Sequence, residues 1–306
     1  MIPTYGRPQL LEYAIASALA QNAPVDLEIV VVDNDHNGKF EAENVVKKFS
    51  DVRLRYVRNS ENKGMCGNWN ECIRLADGDW LTILHDDDQL HSDYLAVLLG
   101  EIRRADILSV IGCAVREISH GHFVDQNKFL NDDAGNVIRM NDFDVLRCCP
   151  YYPVGVAFRR SIAIELKGFE QTMYPCMDYD FWYRLLQTPG GGALVTKRLA
   201  FYRKFENESA RVEVLSGFLN QSYIIRERII STQSKVAQFF LQKYSQKRIV
   251  DDSIDLERVW GTAIDQQHIE NLDFSVRRNI FHRFIAGLTK FAVVFFSGRK
   301  RFKLSA

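Results

Sequence analysis

Three consecutive carboxylates, Asp86-Asp87-Asp88, follow directly on Trp80-Leu81-Thr82-Ile83-Leu84 and His85. Adjacent carboxylates repel and raise one another's pKa unless a cation sits among them. All-oxygen donors suit Mg²⁺ or Mn²⁺, and Mg²⁺ sites typically combine one or two carboxylates with substrate phosphates. The run therefore reads as a divalent-metal site for a phosphorylated ligand, or else as a solvated acidic turn. His85 reads as a structural neighbour of the acids rather than a ligand. A second acidic group, Asp33-Asn34-Asp35, closes the run Glu28-Ile29-Val30-Val31-Val32. A third lies in Met177-Asp178-Tyr179-Asp180-Phe181-Trp182-Tyr183-Arg184-Leu185-Leu186, a helix with a large aromatic load. There Asp180 and Arg184 stand four apart and pair on the helix surface. Asp178 lies about 200° around the helix from Asp180, in the first turn, where any acid is favoured by the helix dipole.

The elements that must position these acids have the rhythm of a doubly wound α/β sheet. Ile2-Pro3-Thr4-Tyr5 ends a strand, and Pro8 opens a helix with Leu10, Leu11, Ala14, Ile15, Ala18 and Leu19 on one stripe. Strands follow at Glu28–Val32 and Arg53–Val57, with a helix at about Asn68–Ala76. The Trp80 strand is short and buried, and it cannot continue through three charges. Its acids therefore emerge at the carboxyl edge of the sheet, as do those after Val32, and the two groups can face one crevice. That convergence favours the ligand site over the solvated turn.

Ser92-Asp93 caps a helix through Arg104, and Ile107–Val115 is strand-like. The stretch Asn131–Arg147 has no clear period. Val154–Phe158 reads as a strand, Arg160–Leu166 as a helix stopped by Gly168, and Leu199–Tyr202 as a final strand after Gly190-Gly191-Gly192. From Asn207 the chain is helical in character, with one or two helices over Gly217–Phe240 and another over Leu256–Ile269.

The chain carries 39 basic and 39 acidic side chains, but eight of the basic ones and none of the acidic fall between Phe274 and Ala306. The remainder has 31 against 39, a net charge of −8. An acidic body with a basic tail argues against a nucleic-acid binder and for an anionic surface met by the tail alone. Phe284–Ser297 is 14 residues with Lys290 inside it, short of the roughly 20 a membrane-crossing helix needs. Aromatics and aliphatics alternating with Arg and Lys over Phe281–Lys303 suit a helix lying in a membrane interface, or an ordinary helix docked on the domain. The six cysteines form no CxxC pair and read as reduced thiols. Met1–Arg7 has neither the basic nor the apolar region of a signal peptide. There is no GxGxxG after the first strand, no GxxxxGK[ST], no GxSxG and no HExxH, so dinucleotide, P-loop, serine-hydrolase and zinc-protease chemistry find no support.

Taken in order, Ile2-Pro3-Thr4-Tyr5-Gly6-Arg7-Pro8, Glu28–Asp33, Asn62-Lys63-Gly64, Asn68, Ala76-Asp77-Gly78-Asp79-Trp80 and His85–Asp88 resemble family 2 glycosyltransferases of the GT-A fold. The likeness continues through Gly155–Arg160, Gly168-Phe169 and Asp178–Leu185, covering about residues 1–210. It implies a GT-A-like, doubly wound, mostly parallel sheet over residues 1–206 and a helical, basic C-terminal extension over 207–306. It implies an inverting transferase using a nucleotide-diphosphate sugar, a UDP-sugar favoured, with Mg²⁺ or Mn²⁺. By the same resemblance, Pro3, Thr4, Tyr5, Arg7 and Asp33 hold the nucleobase and ribose, with Asn62, Asn68 and Asp86 in the same donor-binding set. Asp87 and Asp88 ligate the metal, Asp87 being the better match. Asp178 is the catalytic base, since Asp180 has its partner in Arg184. The acceptor it suggests is a saccharide, lipid-linked through a carrier of the undecaprenyl type, in bacterial surface polysaccharide synthesis. The expected location is peripheral, on the cytoplasmic face of the membrane. Three positions depart from the family's habit: Asn34 for a second Asp, Met177 for a Glu, and Phe205 for a metal-binding His. Met177 and Phe205 motivate the alternative of an inactive nucleotide-sugar-binding module that tethers an assembly to membrane.

Overall fold

The computed structural model describes residues 1–38, 41–105, 107–118, 135–204, 212–260 and 280–296. The chain divides into two units. The first takes residues 1–139, 151–171 and 184–205; the second takes 140–150, 172–183 and 206–306.

In the first unit β1 (Ile2–Thr4), β2 (Ile29–Asp33) and β3 (Leu54–Arg58) pair in parallel. Val30, Val31 and Val32 are completely buried, as expected of β-branched residues covered on both faces, and each burial stabilises by about 1.5–3 kcal/mol. The Met1 nitrogen donates to Thr82 O at 2.9 Å and Leu84 N to Met1 O at 2.9 Å. These two bonds lay β1 alongside the end of β4 (Trp80–Thr82) in the parallel sense. Beyond β4, however, β8 (Val156–Arg159) runs antiparallel to both β4 and β6 (Val110–Ile118). β9 (Gly192–Arg203) is parallel to β6, while β5 (Gln89–Leu90) and β7 (Val137–Arg139) are antiparallel to β9. The sheet is therefore mixed rather than mostly parallel.

Helices cover it as the apolar periods predict. α1 (Pro8–Leu19) starts at Pro8 and buries Leu11, Ala14, Ile15 and Ala18. α2 (Glu41–Val46), which the sequence reading lacked, buries Ala42, Val45 and Val46. α3 (Gly64–Leu75) begins four residues before the expected Asn68, because Gly64, at φ +68°, makes the turn into the helix. α4 (Tyr94–Arg104) follows β5, and α6 (Arg160–Glu165) follows β8. β9 is far longer than the four residues expected, since Gly192 already lies inside the core. A Cβ there would come within 2.4 Å of Leu186 and 2.5 Å of the Tyr151 hydroxyl.

The second unit is helical. α5 (Asp142–Arg147), inside the stretch without a legible period, starts from a capping box between Asn141 and Asp144. α7 (Met177–Leu186) is shared between the units. α8 (Val212–Ser231) and α9 (Lys235–Trp260) pack through Leu215, Leu219 and Ile249. α9 runs straight through Leu256, where a separate helix was expected; 261–279 lies outside the described residues. Buried Arg226 pairs with Asp252 at 2.8 Å and donates from Nε to Leu146 O at 3.2 Å, tying α8 to α9 and α5. α10 (Ile280–Phe296) packs on α9 and α5.

One expectation is overturned: Asp180 does not lie on the helix surface. It is buried and pairs with Arg228 of α8, at 2.6 Å. The Arg184 fork donates to the carbonyls of Leu166 and Gly168, at 2.9 and 2.7 Å, just past the end of α6. Spacing within one helix cannot register partners supplied by other elements; the carboxylate sits on the buried side of α7, where a charge must be paired.

Candidate active site

The acids that follow β2 and β4 lie at strand ends of the first unit, and each is held by a different set of donors. Asp86 is buried, and its Oδ2 accepts from Thr4 Oγ1 at 2.8 Å and Tyr5 N at 3.3 Å. The Arg7 guanidinium lies 3.4 Å from Asp86 and 2.5 Å from Asp87. The end of β1 is thus fastened to the acidic loop, which unites Thr4, Tyr5, Arg7, Asp86 and Asp87 in one place. Pro3 sits within β1, level with Val32. Gly6, at φ +66°, makes the turn between β1 and α1.

Burial, with Asp87 alongside, pushes the Asp86 carboxyl up to about 6, although Arg7 and Thr4 act the other way. Asp88 is almost wholly inaccessible, and burial pushes it up to about 6 as well, with Asp87 adding to the rise and His85 opposing it. Burial lowers the His85 imidazole, but its contact with Asp88 and the charges of Asp87 and Asp86 raise it overall. Burial is thus the main cause at the two carboxyls, and the neighbouring carboxylates are what raise the imidazole.

This loop fits a divalent cation. His85, Asp87 and Asp88 each offer a ligand atom, all within 4.8 Å of one another. Asp88 Oδ2 and His85 Nε2 are buried with no hydrogen-bond partner among the described residues, Asp88 Oδ2 being 3.5 Å from His85 Nδ1. The imidazole stacks on Trp69 with ring centroids 4.8 Å apart, so packing fixes its orientation. It stands nearer the candidate metal position than its reading as a neighbour implied.

Asp33 lies beside a cleft bounded by Gly6, Arg7, Pro8, Asp35, Gly38 and Glu41. Its Oδ2 accepts from Tyr56 OH at 2.6 Å and its Oδ1 from Asp35 N at 2.9 Å. Burial and the Asp33 charge hold the Tyr56 phenol well above its ordinary pKa, so it stays a donor. Arg58 closes the far side by donating to the carbonyls of Asp35 and Gly38, at 2.6 and 2.9 Å. Asn34 faces the other way. Its Oδ1 accepts from Asn59 Nδ2 at 2.9 Å and Lys63 N at 3.0 Å, and its Nδ2 donates to Asn62 Oδ1 at 2.7 Å and Gly64 O at 3.3 Å. Those four bonds exhaust the amide. Asn68 is buried, receiving from Asn59 Nδ2 at 2.9 Å and donating to Val32 O at 3.2 Å. Asn34, Asn62 and Asn68 thus tie the end of β2 to the start of α3.

Asp178 is half-buried in the first turn of α7 and belongs to the second unit; its Oδ1 accepts from Tyr179 N at 2.8 Å. Met177 beside it is buried as core. Phe205 lies outside the described residues. Two residues were missed in the sequence: Tyr56, and Arg203 at the end of β9. Period-2 alternation along β3 could have placed Tyr56 on a sheet face, but nothing in it signals Asp33 as partner. Arg203 was readable only as a cation closing an apolar strand.

The sequence profile described as "Glycosyl transferase family 2" matches residues 1–166. An uncharacterised protein of Mycobacterium tuberculosis is 29% identical over 198 residues, 60% of this chain and 60% of that protein. The match therefore spans less than two thirds of that relative. The GalNAc(5)-diNAcBac-PP-undecaprenol beta-1,3-glucosyltransferase of Campylobacter jejuni is 26% identical over 246 residues, 77% of this chain and 76% of the relative. Among solved structures, S. aureus TarS 1–349 in complex with UDP-GlcNAc superposes with a TM-score of 0.58 at 16% identity, covering 98% of this chain and 90% of that one. Mannosyltransferase PcManGT from Pyrobaculum calidifontis, in complex with GDP-Man and Mn2+, gives a TM-score of 0.55 at 17% identity, covering 96% and 83%. At such identities these two show a shared fold.

Proposed function

The chain belongs to glycosyltransferase family 2, and from that premise we propose that it moves a sugar from a nucleotide-diphosphate donor, a UDP-sugar by preference, to a saccharide hydroxyl with inversion. The observation that carries this reading is the convergence, on the strand ends of one unit, of an acid-lined cleft at Asp33 and a cation-demanding loop at Asp86–Asp88. Asp33, with Tyr56 behind it, takes the base and ribose; Asp86, steadied by Thr4 and Tyr5, meets the ribose hydroxyls. Arg7 lies beside the diphosphate. Pro3 shapes this edge, while Asn62 and Asn68 support it from beneath.

Asp87, with Asp88 behind it, would hold Mg²⁺ or Mn²⁺, which when bound supplies Lewis-acid stabilisation of the departing diphosphate. Asp178 takes the acceptor hydroxyl's proton as the acceptor oxygen bonds to the anomeric carbon and the bond to the diphosphate oxygen breaks. One displacement inverts the configuration. A panel of nucleotide sugars with Mn²⁺, with and without chelator, tests the reading through slow release of nucleoside diphosphate. If every donor survives intact although nucleotide binds, the protein is the inactive binding module, the reading that buried Met177 favours.

The acceptor we infer is lipid-linked, in keeping with the name of the Campylobacter jejuni relative. An exposed apolar face on α10 supports a membrane surface as the place of work. Phe284, Leu288, Phe291 and Phe295 are 61%, 56%, 74% and 49% exposed, whereas Ala286, Thr289 and Val293 pack inward. No described helix is long and apolar enough to cross a membrane. The side chain of Phe281 and the whole of 297–303 lie outside the described residues.

A further inference from the structure

We infer that Arg203 is a positioning residue for the metal: the end of β9 clamps the acidic loop from the side opposite β1 and fixes where Asp87 presents its carboxylate. The inference rests on the metal reading of Asp87 and Asp88.

Two bonds make the clamp. Arg203 N donates to Asp88 Oδ1 and Arg203 Nε to Asp87 O, each at 2.9 Å. Arg203 itself is 5% exposed, so its charge sits under the loop rather than in solvent. On the other flank Thr4 and Tyr5 hold Asp86. The peptide carrying Asp87 is thereby fixed from both sides, while its carboxylate is met by the Arg7 guanidinium at 2.5 Å. The register explains how β9 comes to reach the loop. Against β6 the pairing slips twice between Cys113 and Val115, so that Val195, Arg198 and Ala200 face consecutive residues and three residues of β9, Thr196, Lys197 and Leu199, are left over. The irregularity re-aims the strand's end, and Ala200 and Phe201 then pair with β5 immediately after the acids.

Groups that orient ligands from behind typically matter 10–100-fold for metal affinity. The test is Mn²⁺ binding, read from the free-ion EPR signal, on wild type, Arg203→Met and Arg203→Lys. UDP binding in EDTA and the thermal midpoint are measured alongside. Arg203→Met is expected to weaken Mn²⁺ binding by about 10–100-fold while UDP binding in EDTA stays as in wild type. Arg203→Lys, which keeps the charge but not the planar donor, should fall between, and it carries the test if the Met variant does not fold. Mn²⁺ affinity within about twofold of wild type in both variants would overturn the inference. A joint loss of Mn²⁺, UDP and thermal midpoint would also overturn it, marking Arg203 as a general strut. If wild-type protein binds UDP but no Mn²⁺, the metal reading fails first and the inference with it.

Discussion

Removing one charge at Asp87 isolates the metal contribution. Asp87→Asn keeps the shape and gives up only a pair with Arg7, whose side chain is 34% exposed, so stability should change by no more than about 1 kcal/mol. Mn²⁺-supported donor hydrolysis should disappear. Titrating Mn²⁺ against wild type and variant checks this, and equal activity in the two would remove Asp87 from the site. Asp178→Asn should lower turnover by about 10²–10⁴-fold, the span for a general base, with nucleotide affinity unchanged. Matched kinetics and binding isotherms separate the two effects. At this scale the sequence disclosed acids better than their partners. Asp33 and Asp86–Asp88 stand out because charge after an apolar run is conspicuous. Tyr56 and Arg203 do not, because a Tyr and an Arg are ordinary at the positions they hold. Asn34 marked a departure from the family's second Asp, but only the folded chain shows its amide occupied by four bonds to the loops around it.

Between elements, the misread pair on α7 gives the sharpest contrast. The i,i+4 spacing made Asp180 and Arg184 a surface pair worth a few tenths of a kcal/mol. With Asp180 buried against Arg228, Arg228→Ala removes a guanidinium from a buried carboxylate, and the cost should be about 1–3 kcal/mol. Urea unfolding of that variant, read as a shift in midpoint at constant slope, measures it; a loss under about 0.5 kcal/mol would mean the pair is not buried in solution. Periodicity served the helices well: the stripe on α1 is the buried face observed. It served the second half of the sheet poorly. Direction is set by how a strand is connected, so nothing in Val154–Phe158 announces that β8 runs antiparallel. β9 was cut short because three glycines suggest a stop, whereas Gly192 is there for close packing. α2 escaped notice since six residues between two loops give too few apolar repeats to count.

At the scale of the molecule, charge and the outward face of α10 point the same way. The chain up to Asp273 is net −8, so an anionic lipid surface repels it, and attachment needs a local basic segment such as the eight Lys and Arg from Phe274 onward. Phe284, Leu288, Phe291 and Phe295 recur at three- and four-residue spacing and stay exposed, while Ala286, Thr289 and Val293 face the domain, so α10 has an apolar strip on both sides. A helix docked only on its own domain needs one. We therefore expect α10 to lie in the interface with its rings among the acyl chains. Vesicle flotation with and without anionic lipid, at low and high salt, is the measurement. Binding should rise with anionic lipid and weaken in salt as the basic residues are screened, leaving a salt-resistant remainder due to the rings. Phe284→Ser, Leu288→Ser, Phe291→Ser and Phe295→Ser combined should abolish that remainder with little change in thermal stability, since exposed positions contribute little to folding. A combined variant that floats like wild type would show that α10 is a docked helix. A wild type that ignores lipid but elutes as a dimer, and a variant that elutes as a monomer, would assign the face to a second copy of the chain.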